Sequence, residues 1–198
     1  MQQTVFVVDD DPEIGKMLGW LVESIGADIE IYASGEEFLA AYKERPGCLI
    51  LDVRMKGMSG LKLQELLQER DDKIPIIFIT GHGDISMTVR AMKKGAKDFF
   101  TKPFNNQLLL DTVQQALEEN TKQYDEKLQK DKIKAQLDSL TAREREIMHC
   151  VIDGKLNRVI SDELGISIST VEAHRAKVME KMQVDSLAEL VKKVLNKQ

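Results

Sequence analysis

Apolar residues in the first hundred positions follow two alternating patterns. Short apolar runs with strand character lie between segments in which apolar residues recur at helical spacing. The runs cover residues 4–8, 28–32, 48–51, 74–80 and 98–101. Strands that alternate with helices predict βαβ units, and therefore a parallel sheet that helices cover on both faces. This pattern favours an α/β domain with five parallel strands, doubly wound in the flavodoxin-like manner.

From residue 105 onward the pattern is helical. Residues 105–117 are predicted to form the last helix of the first domain. Four further helices are expected: one ending near residue 153, one over 157–164, one from a cap at Ser167 or Ser169 to about 182, and one over 186–196. The first of these begins with Thr-Ala-Arg-Glu, which has the form of a capping box. A short helix, a turn with glycine and a longer helix predict a helix-turn-helix in an all-α C-terminal domain.

The distribution of proline and glycine along the chain supports two domains. All four prolines and ten of the twelve glycines fall within the first 103 residues. We therefore expect an N-terminal domain over 3–120, a helical linker over 121–138 and a C-terminal domain over 139–198. The linker is interpreted as a solvated continuation of the preceding helix, with a short intermolecular coiled coil as the alternative.

Composition excludes several classes of protein. With 42% hydrophobic and 31% charged residues, the chain is typical of a folded globular protein. No apolar stretch approaches the roughly 20 residues of a membrane helix, and the start of the chain does not resemble a signal peptide. Cys48 and Cys150 form no spacing motif. We expect a reduced, cytoplasmic protein without a disulfide scaffold, a structural zinc site or a membrane partner.

The net charge of −5 is unevenly distributed. Residues 1–104 carry 17 acidic and 13 basic side chains, whereas residues 139–198 carry 9 and 10. An acidic chain does not favour nonspecific coating of nucleic acid, but the C-terminal domain, with a net charge of +1, leaves specific DNA binding open.

Polar residues follow the predicted strands at the edge where parallel strands end. Asp9–Asp11 follow the first strand, Asp52 the third, and Lys102 the fifth, while Thr80 ends the fourth. The three acids after the first strand could also cap the first helix. Carboxylates that converge need a compensating cation, and ligands that are all oxygen favour Mg²⁺. A metal, an ammonium and a hydroxyl around one carboxylate predict a site that binds the oxygens of a phosphoryl group.

These residues resemble the receiver domain of bacterial two-component response regulators over about residues 3–120. The matching motifs are Val7-Val8-Asp9-Asp10-Asp11, Leu51-Asp52-Val53-Arg54-Met55, Thr80-Gly81-His82-Gly83-Asp84 and Lys102-Pro103-Phe104. The resemblance implies that Asp52 accepts a phosphoryl group. It also implies the roles of the surrounding residues: Mg²⁺ held by Asp9, Asp10 and the backbone carbonyl of Arg54, phosphoryl oxygens contacted by Thr80 and Lys102, and an activation switch at Phe99.

Two residues in the loop after Asp52 depart from this family's pattern. Lys56 stands where the family usually has proline, and Ser59 where aspartate is common. The acceptor chemistry is unaffected, but a loop without the proline is expected to be less stiff.

The third C-terminal helix divides into two faces. Val171, Val178 and Met182 form an inward stripe, and Arg175 and Lys177 lie on the flanks, where a helix in the major groove meets phosphates. The opposite face carries small residues and acids that suit contact with base edges: Ser169, Glu172, Ala173, Ala176 and Glu180.

Residues 136–198 resemble the LuxR-type helix-turn-helix of the NarL/FixJ response regulators, and within them the FixJ branch. The matching motifs are Leu140-Thr141-Ala142-Arg143-Glu144-Arg145-Glu146, Asn157-Arg158, Leu164-Gly165-Ile166-Ser167 and Thr170-Val171-Glu172-Ala173-His174-Arg175. The helix-turn-helix covers about residues 157–176. Together with the helix faces, the resemblance predicts DNA contacts by Asn157, Arg158, Ser169, Thr170, Glu172, Ala173, Arg175, Ala176 and Lys177.

The sequence thus predicts a transcription factor controlled by phosphorylation rather than an enzyme. Its expected partners are a sensor histidine kinase, promoter DNA, RNA polymerase and, when phosphorylated, a second copy of the chain. A Mg²⁺-dependent phosphotransferase or phosphatase is the first alternative, but Arg54 stands where such enzymes need a second acid. The other alternative is a phosphorelay or scaffold protein whose tail binds protein.

Overall fold

A computed structural model describes residues 3–81 and 85–195. The chain divides into two compact units, Met1–Asp125 and Glu126–Gln198. In the first unit, strands and helices alternate, and the last helix, α5, ends in the second unit: β1 (Thr4–Val8), α1 (Pro12–Glu23), β2 (Asp28–Tyr32), α2 (Gly35–Ala41), β3 (Gly47–Asp52), α3 (Gly60–Glu69), β4 (Ile76–Thr80), α4 (Ile85–Lys93), β5 (Asp98–Thr101) and α5 (Asn106–Asp138).

The five strands form one parallel sheet in the order β2-β1-β3-β4-β5. Three strands have the predicted bounds, and β3 is one residue longer at each end. β4 begins at Ile76 rather than at residue 74, because Pro75 has no N–H to donate to a ladder. The predicted doubly wound α/β domain is confirmed.

Alternate residues of each strand enter two apolar layers, one on each face of the sheet. Phe6 and Val8 of β1 pack with Phe38 of α2 on one face. Val5 and Val7 pack on the other face with residues of α1 and α5. Because both faces are covered, the polar side chains of β1, β3, β4 and β5 lie at the strand ends, whereas the edge strand β2 also carries Glu30 in its middle.

Helix α5 spans both the predicted helix over 105–117 and the linker, which is interpreted as a continuation of that helix. Gly and Pro are absent from residues 105–153, so nothing in the local sequence interrupts the helix. The buried Asn120 connects α5 to the sheet: its Oδ1 accepts from the N–H of Gly47 at 2.9 Å, and its Nδ2 donates to the Lys73 carbonyl at 3.3 Å.

The second unit contains α6 (Ala142–Ile152), α7 (Asn157–Leu164), α8 (Ile168–Met182) and α9 (Leu187–Leu195). The predicted caps are present: Thr141 and Glu144 form the capping box of α6, Ser167 caps α8, and Gly165 ends α7 at φ 63°. The core of this unit includes Leu137 from the end of α5 and the predicted inward stripe of α8.

The sequence also predicts a helix over about residues 84–94, where α4 lies. The first residue of this predicted helix, Asp84, and the last residue of the predicted helix over 186–196, Asn196, lie outside the described residues. In the part of the chain that the structure describes, no helix combines the length and the apolar character needed to cross a membrane.

Candidate functional site

The carboxyl ends of β1, β3 and β5 bring two carboxylates and an ammonium together. Asp9 follows β1, Asp52 is the last residue of β3, and Lys102 follows β5. Lys102 Nζ lies 2.7 Å from Asp9 Oδ2 and 3.0 Å from Asp52 Oδ1. The Lys102–Pro103 peptide bond is cis. One ammonium therefore bridges two acids that come from different strands.

Burial shapes the electrostatics of this group. Asp9 and Asp52 are almost completely buried, at 4% and 5% exposure. Burial raises the pKa of Asp52 above its ordinary value, and the hydrogen bond and charge of Lys102 offset this only in part. Burial by itself lowers the pKa of Lys102, but the hydrogen bonds to Asp9 and Asp52 outweigh burial and raise this pKa above its ordinary value. The ammonium therefore stays charged beside the two acids.

The three acids after β1 have different partners. Asp11 caps α1, because its side chain accepts from the N–H of Glu13 at 2.9 Å. Asp9 Oδ1 accepts from the N–H of Asp11, also at 2.9 Å. Asp10 is exposed, and its Oδ2 accepts from the N–H of Lys56 at 3.4 Å. The helix-capping alternative thus applies to Asp11, whereas Asp9 and Asp10 face the strand ends and the following loop.

The loop after β3 is held by carboxylates at every second backbone N–H. Arg54 donates to Asp52 Oδ2 at 2.6 Å, Lys56 to Asp10, and Met58 to Glu36 Oε1 at 3.2 Å. Glu36 belongs to α2, and sequence reasoning did not identify it. These bonds fasten the loop even though Lys56 replaces the family's proline.

The oxygen donors of this site are of the kind that a hard cation prefers. Asp9, Asp10 and the Arg54 carbonyl offer only oxygen, which suits Mg²⁺. Within residues 3–81 and 85–195, side chains of His, Cys, Asp and Glu do not form a metal-binding group of three or more on their own.

Thr80 and Phe99 lie on adjacent strands beside this site. Thr80 is the last residue of β4 and is buried. Phe99 of β5 is half-buried, and its ring centroid lies 6.2 Å from that of Phe78. The remainder of the motif after Gly81, namely His82, Gly83 and Asp84, lies outside the described residues.

In the second unit, the predicted reading face of α8 is exposed. Seven of the predicted DNA-contacting side chains lie in exposed positions: Arg158, Ser169, Thr170, Glu172, Ala173, Ala176 and Lys177. The other two, Asn157 and Arg175, are half-buried. Arg175 Nη1 donates to Asn157 Oδ1, and Asn157 Nδ2 donates to Glu172 Oε1 at 3.4 Å. Arg175 thus contacts another helix of its own domain instead of projecting freely from the flank of α8.

Family models match both units. The response regulator receiver domain matches residues 5–114, and the luxR family of bacterial regulatory proteins matches residues 138–194. The chain is 44% identical to the response regulator protein TmoT of Ectopseudomonas mendocina over 96% of its own length and 87% of the relative. It is 38% identical to the transcriptional regulatory protein FixJ of Azorhizobium caulinodans over 96% and 91%.

Solved structures match along the whole chain. The response regulator StyR superposes with a TM-score of 0.92 at 45% identity, covering 99% of this chain and all of that one. Full-length FixJ from B. japonicum matches with a TM-score of 0.58 at 35% identity, covering 98% and 96%.

Proposed function

Because this chain belongs to the response regulators that join a receiver domain to a LuxR-type DNA-binding domain and regulate transcription, we propose that it accepts a phosphoryl group on Asp52 and thereby controls its binding to promoter DNA. The donor is the phosphohistidine of a sensor kinase. The observation that carries this proposal is the bridge that Lys102 makes between Asp9 and Asp52 at the ends of three strands.

The transfer follows from the surroundings of Asp52. A carboxylate oxygen forms a bond to phosphorus, the phosphorus–nitrogen bond of the phosphohistidine breaks, and the imidazole nitrogen keeps the electron pair and takes up a proton. Lys102 and the hydroxyl of Thr80 contact the phosphoryl oxygens, where negative charge accumulates. The ammonium already lies 3.0 Å from Asp52, so the compensating charge is in place before the transfer.

We assign the magnesium ligands to Asp9, Asp10 and the backbone carbonyl of Arg54. When bound, the cation supplies positive charge that draws the phosphoryl oxygens toward the acceptor. The chain's own contribution is to fix the loop that carries Arg54, through the bonds to Asp52, Asp10 and Glu36. No turnover of a small molecule is expected, because Arg54 stands where a hydrolase needs a second acid.

We propose that the exposed surface of α8 binds the promoter DNA. Arg158 and Lys177 suit contact with phosphates, while Glu172, Ala173 and Ala176 suit base edges in the major groove. Thr80 and Phe99 are the proposed switch: when Thr80 moves toward the phosphoryl group, the Phe99 ring fills the space. The resulting change at α4, β5 and α5 favours a homodimer, which promoter DNA and RNA polymerase then engage.

Asp52→Asn tests the acceptor assignment. We expect the wild-type protein to gain the mass of one phosphoryl group when incubated with acetyl phosphate and Mg²⁺, and the variant to gain none, because an amide oxygen is a poor nucleophile. Intact-protein mass spectrometry measures the gain. Asp11→Asn is the matched control, since Asp11 lies two positions from Asp9 but caps α1. An equal gain in Asp52→Asn would show that another residue is the acceptor.

A further inference from the structure

On the exposed face of α8, Glu172 has two alanine neighbours whose side chains cannot orient its carboxylate. Ala173 and Ala176 lie beside Glu172 and have no groups that hydrogen-bond. A glutamate side chain has several rotatable bonds, and fixing it on binding costs conformational entropy. A base-reading carboxylate is therefore more selective if the protein orients it in advance.

Asn157 of α7 supplies an orienting contact from outside α8. Its Nδ2 donates to Glu172 Oε1 at 3.4 Å, and its Oδ1 accepts from Arg175 Nη1. The two ends of an amide differ, since the oxygen accepts and the nitrogen donates. A reversed amide would place its oxygen against the carboxylate and its NH₂ against the guanidinium. Both contacts therefore fix the same orientation of Asn157.

Arg175 is placed to hold Asn157 rather than to reach a phosphate. It is half-buried, and it lines a small cavity together with Met148 and Val151 of α6 and Val178 of α8. Lys177, two residues later, is exposed. The two cations predicted for the flanks of α8 thus have different surroundings, and only Lys177 is free to face a DNA strand.

We propose that Arg175 and Asn157 are positioning residues that orient the Glu172 carboxylate toward a base amino group in the major groove. The chemistry that a carboxylate recognises there is the exocyclic N4 amino group of cytosine. This proposal rests on the proposed reading of DNA by α8. Of the two cations on the flanks of α8, it assigns Arg175 to base selectivity and Lys177 to electrostatic contact with the DNA backbone.

The test uses the full-length protein treated with beryllofluoride and Mg²⁺. Selection from a pool of random-sequence duplexes first gives the preferred duplex, and dissociation constants are then measured over a salt series for that duplex and for duplexes with single base-pair changes. We expect Glu172→Ala to lose about 10-fold discrimination at one base pair. Arg175→Ala should lose discrimination at the same base pair, with no further loss when the two substitutions are combined.

The salt dependence separates positioning from phosphate contact. For Arg175→Ala, the slope of log Kd against log salt should equal that of the wild type. Lys177→Ala is the matched control, and its slope should fall by about one with base preference unchanged. A slope that falls by about one in Arg175→Ala with discrimination intact would overturn the proposal, and so would additive losses in the double variant.

Asn157→Ala keeps the proposal testable if Arg175→Ala does not fold. This substitution breaks the connection to Glu172 and leaves the Arg175 guanidinium in place, and circular dichroism checks that the helices are retained. Loss of discrimination at the base pair that Glu172 reads supports the proposal, and full discrimination overturns it. If the wild-type protein enriches no duplex, the proposed DNA reading fails together with this inference. If the wild-type protein enriches a duplex, and the Asn157→Ala and Arg175→Ala variants discriminate among base pairs as well as the wild type does, only this inference is overturned.

Discussion

Single residues at the ends of the strands show how far local sequence can predict a site. Asp9, Asp52 and Lys102 each follow an apolar run, so their convergence can be predicted from strand pattern and parallel topology. Glu36 could not be found in this way, because its contact with Met58 joins residues 22 positions apart and has no periodicity. The partnership of Arg175 with Asn157 likewise depends on how two helices pack.

Gly60 offers a test of the acceptor strand at this scale. A Cβ at Gly60 would lie 2.2 Å from the Asp52 carbonyl oxygen and 3.0 Å from Leu51 Cγ, so Gly60→Ala must displace the backbone that carries the acceptor. We expect the free energy of unfolding of the first unit to fall by about 1–3 kcal/mol. Phosphorylation by acetyl phosphate should also slow. Urea denaturation and intact mass measured over time follow the two effects.

Gly19→Ala is the control for this substitution. Gly19 lies inside α1, and a Cβ there would meet no atom within 4 Å. The alanine should therefore stabilise the helix by roughly 0.5–1 kcal/mol and leave phosphorylation unchanged. Equal stability of the Gly60 and Gly19 variants would show that the β3–α3 junction adjusts without moving Asp52.

At the scale of elements, helix starts were more predictable than the end of α5. The cap of α6 can be recognised from four residues, because Thr141 and Glu144 satisfy backbone donors within one turn. Nothing comparable marks an end near residue 117, and the helix continues to Asp138, in agreement with the interpretation of the linker as a continuation of the preceding helix. A polar, glycine-free stretch is compatible with a solvated helix, and its apolar residues are too sparse to define what it packs against.

Glu144 connects the start of α6 to the end of α8, and this connection should depend on pH. Its hydrogen bond with Lys181 at 2.6 Å, together with the bond from the Thr141 N–H, lowers its pKa from 4.5 to about 2. A carboxyl whose pKa is lower in the folded state stabilises that state above its unfolded pKa. The contribution is thus complete above about pH 4.5 and is lost as the pH falls toward 2.

Glu144→Gln should therefore lower the free energy of unfolding of the second unit by roughly 1 kcal/mol at neutral pH. Glutamine can still accept from the Thr141 N–H, so this substitution isolates the charge. The difference from the wild type should shrink between about pH 4.5 and 2, as measured by denaturation followed by circular dichroism. Glu146→Gln, at an exposed position paired with Arg143, is the control and should have little effect. A difference that stays constant over this pH range would contradict the role of the ion pair.

At the scale of the whole molecule, the change in composition near residue 104 predicted that the chain has two parts. The structure divides it at Asp125, inside α5, because contacts between the first unit and the helix extend past the predicted domain end at 120. Tyr124 OH, for example, contacts the carbonyl oxygen of Glu44 at 3.5 Å. The exact boundary depends on such tertiary contacts, which leave no local signal in a uniformly helical stretch.

The remaining question at this scale is how one phosphoryl group changes the assembly of the chain. α4 carries a row of exposed apolar side chains at helical spacing, with Ile85 at 84%, Val89 at 44% and Met92 at 42% exposure. Exposed apolar rows of this kind are typical of protein–protein contacts. We expect a monomer before phosphorylation and, after treatment with beryllofluoride and Mg²⁺, a dimer in which these rows meet.

Val89→Glu should abolish that dimer and leave the mass gain at Asp52 intact, because a carboxylate in an apolar contact remains unpaired. Sedimentation velocity at micromolar concentration measures the dimer. Trp20→Glu is the matched control, since Trp20 is an apolar residue of α1 with 75% exposure. The dimer should bind a duplex with two half-sites roughly 100-fold more tightly than the Val89→Glu monomer does, because the second reading helix then binds at high effective concentration. A stable dimer of the unmodified protein, or a dimer that Trp20→Glu abolishes and Val89→Glu does not, would place the contact on a different surface.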